Sequence, residues 1–225
     1  MKTITLNLYR FNELDKTAQE KALTTYRHVN IELDWWETEY EDFTTLCTYL
    51  GMAVDPSSIR FSGFDSPGDG SAFSAGVNLP KLCKAIPEQA WKAYAPLQTF
   101  PFCLPDADRR LMALITEGIL TINPQIIGGH SSYGVFTDLI VQMPGDKGRE
   151  HGNIRAELLK LEDWLQQVAE TLNRYLYGTL EKQYEYLTSD TAVGESIGSD
   201  EYLFTADGHP AGHLLALSQD QSHLK

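Results

Sequence analysis

The stretch Ile59-Arg60-Phe61-Ser62-Gly63-Phe64-Asp65-Ser66-Pro67-Gly68-Asp69-Gly70-Ser71-Ala72-Phe73 reads as a strand, a tight loop and a returning strand. Two arms carrying apolar residues flank a cluster of turn formers, the pattern of a hairpin. Pro67 presets φ for a turn, while Gly68 and Gly70 can supply the positive φ that a tight loop demands. Asp65, Ser66 and Asp69 can hydrogen-bond the loop backbone. The flanking aromatics, Phe61, Phe64 and Phe73, read as core. The hairpin therefore predicts antiparallel sheet, and it places two carboxylates on a stiff loop.

Upstream, residues 3–10 alternate as a half-buried strand, with Ile4, Leu6 and Leu8 on one face. A helix is expected from Lys16 to His28, with Asp15 as N-cap and Ala18, Ala22, Leu23 and Tyr26 inward. A second is expected from Asp34 to Leu50. Its residues Trp36, Tyr40, Phe43, Cys47 and Leu50 recur at helical steps, and Gly51 stands where a left-handed residue would end it. Downstream, short helical pieces span 79–95 with Pro87 at a first helical position, and Gln98 to Pro105 is a loop. Asp106 is the expected cap of a helix that runs to Gly118. Leu120 to Ile127 and Val135 to Val141 form a second hairpin about Gly128-Gly129, and Pro144 to Gly152 is a polar loop.

The longest apolar period runs through Ile154, Leu158, Leu161, Leu165, Val168, Leu172, Leu176 and Leu180, predicting one helix to about Leu187 with Gly178 as a weak point. Ser189 or Asp190 can cap a short helix after it. Glu201 to Thr205 is a last strand closed by Asp207-Gly208, and the tail from His213 is expected to fray. The expected class is α+β. One domain, residues 1–212, would pack a small antiparallel sheet of hairpins against several helices, one of them long and C-terminal.

Charge is the second strong feature. The 225 residues carry 18 Lys and Arg against 31 Asp and Glu, a net charge of -13. Such a surface repels nucleic acid phosphates and is attracted to basic proteins. It is concentrated on the second helix, where Glu32, Asp34, Glu37, Glu39, Glu41 and Asp42 occur with no Lys or Arg between them. Acids in a first helical turn complement the macrodipole, which accounts for Asp34 and Glu37 but not for Glu41 and Asp42. Like charges four apart are mildly unfavourable. Either basic neighbours in the fold meet them, or a partner does, or they form a solvated face. Trp35 points about 100° around the helix from Trp36, which makes it a candidate exposed aromatic among the acids, as Tyr133 is beside the second turn.

Enzymatic signatures are absent from the chain. Asp65, Asp69 and Gly70 fit three positions of a calcium loop, but Pro67 and Gly76 stand where two ligands belong. No G-x-S-x-G or H-E-x-x-H occurs. His130 follows two glycines that lead into a strand, not a helix, so they make a poor phosphate loop. Cys47, Cys83 and Cys103 have no CxxC spacing, which argues against disulfides and zinc and suits a reducing cytosol. Cys47 sits on the apolar stripe as a small buried hydrophobe. Neither a signal-peptide h-region nor a run of membrane-spanning length is present, so a cytoplasmic protein of a bacterial host is expected. No metal, cofactor or membrane partner is expected.

Three segments together resemble one family. They are Phe11-Asn12-Glu13-Leu14 with Ala18, Lys21, Ala22 and the Trp35-to-Phe43 helix; the Phe61-to-Phe73 hairpin; and Leu180-to-Asp190 with Phe204-Thr205-Ala206-Asp207-Gly208. The resemblance is to small proteins of phages, plasmids and integrated elements, some labelled antitoxins of toxin–antitoxin stability systems. It implies a mobile-element setting and no catalytic residues. The resulting expectation is a non-enzymatic inhibitor, anti-CRISPR-like. It would bind the basic surface of a host nucleic-acid-binding defence protein or ribonucleoprotein through Glu32, Asp34, Trp35, Glu37, Glu39, Glu41 and Asp42. An antitoxin that binds its cognate toxin is the alternative, and a hydrolase using Asp65 and Asp69 the third reading. In the favoured reading Asp65, Gly68, Asp69 and Gly70 only shape the loop.

Overall fold

The hairpin forms, and its first arm starts well before Ile59. The computed structural model describes residues 6–129, 133–142, 152–200 and 202–212. In chain order the regular elements are β1 (Tyr9–Arg10), α1 (Lys16–Thr25), α2 (Glu37–Tyr49), β2 (Met52–Phe61), β3 (Ser71–Val77), α3 (Leu79–Glu88), α4 (Arg109–Thr116), β4 (Thr121–Gly128), β5 (Val135–Gln142), α5 (Gly152–Leu187), α6 (Asp190–Ser199) and β6 (Leu203–Phe204). The class is α+β, with an antiparallel sheet ordered β2-β3-β4-β5, a two-stranded ladder β1-β6, and helices that include the long C-terminal α5. Packing divides the chain into a first unit, residues 1–35 and 182–225, and a second, residues 36–181. Among the described residues no helix is long and apolar enough to cross a membrane.

In the second unit, β2 and β3 pair from Met52↔Val77 to Asp55↔Ser74, then resume at Arg60↔Ala72. Four residues of β2 thus lie opposite Phe73 alone, a bulge at Pro56, which has no N–H to give the ladder. The Asp55 carboxylate holds the bulge by accepting from the Ser57 backbone N–H (3.0 Å) and hydroxyl (2.7 Å). The core side of α2 is Phe43, Leu46 and Cys47, with Leu50 after it; all are at most 1 % exposed. Burial pushes the Cys47 thiol far up, as befits a small hydrophobe. The expected period of α5 holds, since Leu161, Leu165, Leu172, Leu176 and Leu180 are wholly buried. Each such side chain is worth roughly 1.5–3 kcal/mol. A polar pin ties β3 to α5: buried Ser71 on β3 donates to Asn173 Oδ1 (2.9 Å), and Asn173 Nδ2 donates back to the Ser71 carbonyl (2.8 Å).

The first unit gathers Leu14, Ala18, Ala22, Val193, Ile197 and Phe204 into its own core. Both expected caps are present: Asp15 accepts from the Ala18 N–H (2.9 Å), and Ser189 from the Ala192 N–H (3.2 Å). Arg27 closes the start of α6 by donating to the Thr188 carbonyl (2.9 Å) and to Asp190 (2.5 Å).

Several expected boundaries move. Residues 3–5 of the expected first strand lie outside the described residues; among residues 6–10 only Tyr9 and Arg10 pair, because the partner β6 is itself two residues long, and Leu6 is 50 % exposed. Helix α1 stops at Thr25 and not His28, and α2 begins at Glu37 and not Asp34, since a turn closed by the Trp35 N–H to the Leu33 carbonyl (2.6 Å) precedes it. Pro87 lies in the last turn of α3; the first-turn proline is Pro80, behind the Asn78 cap. Asp108, not Asp106, caps α4, accepting from the Arg110 N–H at 2.7 Å, and its own N–H is held by Glu157 (2.7 Å). The last strand shrinks to Leu203–Phe204. Ile4, His130, Glu201, residues 143–151 and the tail from His213 lie outside the described residues.

Candidate protein-binding site on the acidic helix

Helix α2 turns Phe43, Leu46 and Cys47 inward, and this fixes where its acids point. Glu37, Glu41 and Asp42 are exposed, while Glu39 is half-buried. Of the two structural answers to such a charge cluster, basic neighbours are not the one adopted. Among the described residues, the ion pairs to carboxylates come from Lys21, Arg27 and Lys160, with His209 placed beside Asp207, and none reaches α2. One tyrosine meets one of the acids instead. The Tyr94 hydroxyl donates to Asp42 Oδ1, and the Tyr94 ring stacks on Tyr49 with centroids 6.2 Å apart and planes at 22°.

Electrostatics records the crowding. Glu39 has its pKa raised, first by burial and then by Asp42. Tyr175, on α5, is raised by burial and then by Glu39 and Asp42. Tyr94 is raised chiefly by its hydrogen bond to Asp42. The two tyrosines therefore stay neutral beside the acids, and the negative charge of this surface rests on the carboxylates alone.

The seven residues expected to share this surface are not one helical face. Glu37, Glu39, Glu41 and Asp42 all lie on α2 in the second unit, Glu37 and Glu41 on one side of the helix and Glu39 and Asp42 on another. Glu32, Asp34 and Trp35 precede the helix and belong to the first. Glu32 and Asp34 are exposed, but Trp35 is half-buried with its ring 6.1 Å from that of Tyr184. Trp35 is thus partly exposed and packs one side of its ring toward Tyr184. The aromatic members that sequence reading missed are Tyr49, Tyr94 and Tyr175. Only Tyr49, seven residues after Asp42 on the same helix, had a signal in the spacing.

The hairpin loop resolves into a different job. Asp69 Oδ2 accepts from the Ser66 N–H (2.8 Å) and the Asp65 N–H (3.1 Å), closing the loop from inside. Asp65 is exposed, and its carboxylate takes no part in these bonds. Gly68 has φ of +99°, as the loop demands, but Gly70 does not have positive φ. Its constraint is contact, because a Cβ there would lie 3.0 Å from Tyr133 Cβ. The loop is also tied to α5, where Tyr177 donates to the Gly63 carbonyl (3.0 Å) and its ring meets Phe64 at 5.3 Å. Among the described residues no group of three or more His, Cys, Asp or Glu is placed to hold a metal ion. Asp69→Ala should cost about 1–2 kcal/mol by stranding two loop donors. Asp69→Asn, which keeps the acceptor, and Asp65→Ala should each stay within about 0.5 kcal/mol in urea titrations.

Residues 35–190 match a family described as a domain of unknown function, DUF8835. No curated protein and no solved structure matches the chain.

Proposed function

Because the chain belongs to the DUF8835 family, whose description carries no activity, we propose from its residues that it is a binding protein for a basic protein surface. One observation carries this reading: Glu37, Glu39, Glu41 and Asp42 stand on one helix, no lysine or arginine pairs with them among the described residues, and the contact that Asp42 makes is with the Tyr94 hydroxyl. Carboxylates interleaved with aromatic rings complement guanidinium and ammonium groups, which gain from both the charge and the ring face. Surfaces rich in such groups belong to proteins that grip nucleic acid backbones. The mechanism is occupation: the acidic helix takes the place of phosphates and excludes the nucleic acid, with association hastened by the net charge of -13. The mobile-element resemblance of the hairpin and end segments makes a host defence protein or ribonucleoprotein the favoured target, so the proposed role is counter-defence inhibition.

The test is charge reversal at Glu37, Glu39 and Glu41 to Lys together. Affinity purification from the bacterial host should recover a nucleic-acid-binding protein with the natural chain, released by salt, and the triple variant should lose it while keeping a native circular dichroism spectrum. Recovery of the same protein by a folded triple variant would sink the proposal.

A further inference from the structure

We infer that the cleft between α2 and the Pro56 bulge of β2 is a receptor for one arginine side chain of the protein partner. This rests on the binding reading above and assigns the anchoring contact. The cleft is about 310 Å³ and is lined by Tyr40, Glu41, Thr44, Thr45 and Pro56. That volume suits a single long side chain, not a folded element.

Its chemistry is selective. Glu41 supplies a carboxylate at the rim that has no cationic partner among the described residues. Tyr40 supplies an aromatic wall, its ring held edge-on to Phe61 with centroids 6.5 Å apart. Burial, then Tyr133, pushes the Tyr40 phenol up to about 12, so it stays neutral and cannot replace the carboxylate. Thr44 supplies the telling atom. Its Oγ1 is buried without a hydrogen-bond partner among the described residues. Most mid-helix threonines in this chain give their hydroxyl to the carbonyl four residues back, as Thr48 does to Thr44 (3.0 Å). Thr44 does not, and a buried hydroxyl left unpaired carries a cost that an incoming donor would remove. A helical threonine has two accessible χ1 wells, so its oxygen can turn to meet a donor entering the cleft. A guanidinium fits these three groups better than an ammonium. It is flat enough to lie on the tyrosine ring, forks onto a carboxylate, and keeps further N–H donors for the threonine oxygen.

The experiment titrates the full chain with Nα-acetyl-arginine amide, and with Nα-acetyl-citrulline amide as the neutral isostere, while following the Thr44 and Thr45 methyl signals by NMR. The arginine probe should bind saturably in about the millimolar range expected for a ligand of its size, shift both methyls and change the Thr44 χ1 coupling. Citrulline should not bind. Thr44→Val should leave the fold as stable or more so, because it removes an unpaired polar atom, yet weaken the arginine probe roughly ten-fold. Equal binding of citrulline, or undiminished binding to Thr44→Val, would overturn the assignment. The two proposals fail separately. If the arginine probe does not bind but host-protein capture still depends on Glu37, Glu39 and Glu41, the cleft is lost and the acidic-helix reading stands. If the probe binds with no charge-dependent capture, the opposite holds.

Discussion

Phe73→Ala is expected to destabilise the second unit by about 3–5 kcal/mol, read as a lower urea midpoint at unchanged slope. The reason is the number of elements that converge on one ring. Phe73 is fully buried on β3, opposite the bulge of β2, and packs edge-to-face on Phe43 of α2 with centroids 4.9 Å apart and planes at 74°. Such a pair adds about 0.5–1.5 kcal/mol beyond the area it buries. From the other side, the backbone of β4 comes so close that a Cβ on Gly128 would lie 3.1 Å from the Phe73 main-chain atoms. Helix and strands are thus locked around this position and cannot collapse into the space a truncation leaves. Phe136 is the control. It is equally large and also on a strand, but is 56 % exposed on β5, so Phe136→Ala should stay within about 0.5 kcal/mol. A cost at Phe136 matching that at Phe73 would show that the core is elsewhere.

Much of this was legible in the chain, for reasons that differ by residue. Phe73 and Phe43 sit in strong local patterns, one closing a hairpin and one on a helical stripe, so periodicity alone put both inside. The long helix α5 was readable because its buried leucines repeat over many turns, a signal that outweighs the one weak point at Gly178. Failures cluster where a neighbour, not the local sequence, decides. Residues 3–10 alternate like a strand, yet strand length is set by β6, which offers two positions. Asp106 is as good a capping residue as Asp108, and Glu157, far away in sequence, selects between them by accepting the Asp108 N–H. The bulge at Pro56 had a local sign, the missing donor, but its register depends on Phe73 across the ladder.

The candidate site divides in the same way. That α2 is acidic is plain from composition, and its outward direction follows from the inward stripe. That a tyrosine and not a lysine meets Asp42 is not readable, because Tyr94 arrives from a segment roughly 50 residues downstream. Asp65 and Asp69 illustrate the opposite error. Two aspartates in one loop suggest shared chemistry, but one carboxylate is consumed by backbone N–H groups and the other stands in solvent. Turn chemistry explains the pair without a reaction.

Gly208→Ala is expected to destabilise the first unit by about 2–5 kcal/mol, through backbone strain and overpacking together. Gly208 has φ of +80° in the turn after β6, a conformation that L side chains rarely adopt. Space is the larger difficulty. A Cβ there would stand 2.2 Å from the Ala18 carbonyl oxygen and 2.9 Å from Ala18 Cα, atoms of the α1 backbone that no rotamer change can move. The turn must then lift off α1, which takes with it the Lys21 contact to Asp207 (3.3 Å) and the packing of Phe204 on Ala18 and Ala22. Hydrogen exchange should therefore accelerate in α1 and α6. Gly178→Ala makes the opposite comparison. Gly178 lies within α5, a Cβ there would meet nothing within 4 Å, and alanine is the better helix former, so a gain of about 0.5–1 kcal/mol is expected. The same chemical change at two glycines should move stability in opposite directions. A loss at Gly178 or neutrality at Gly208 would contradict the close approach of the turn to α1 and the unbroken course of α5.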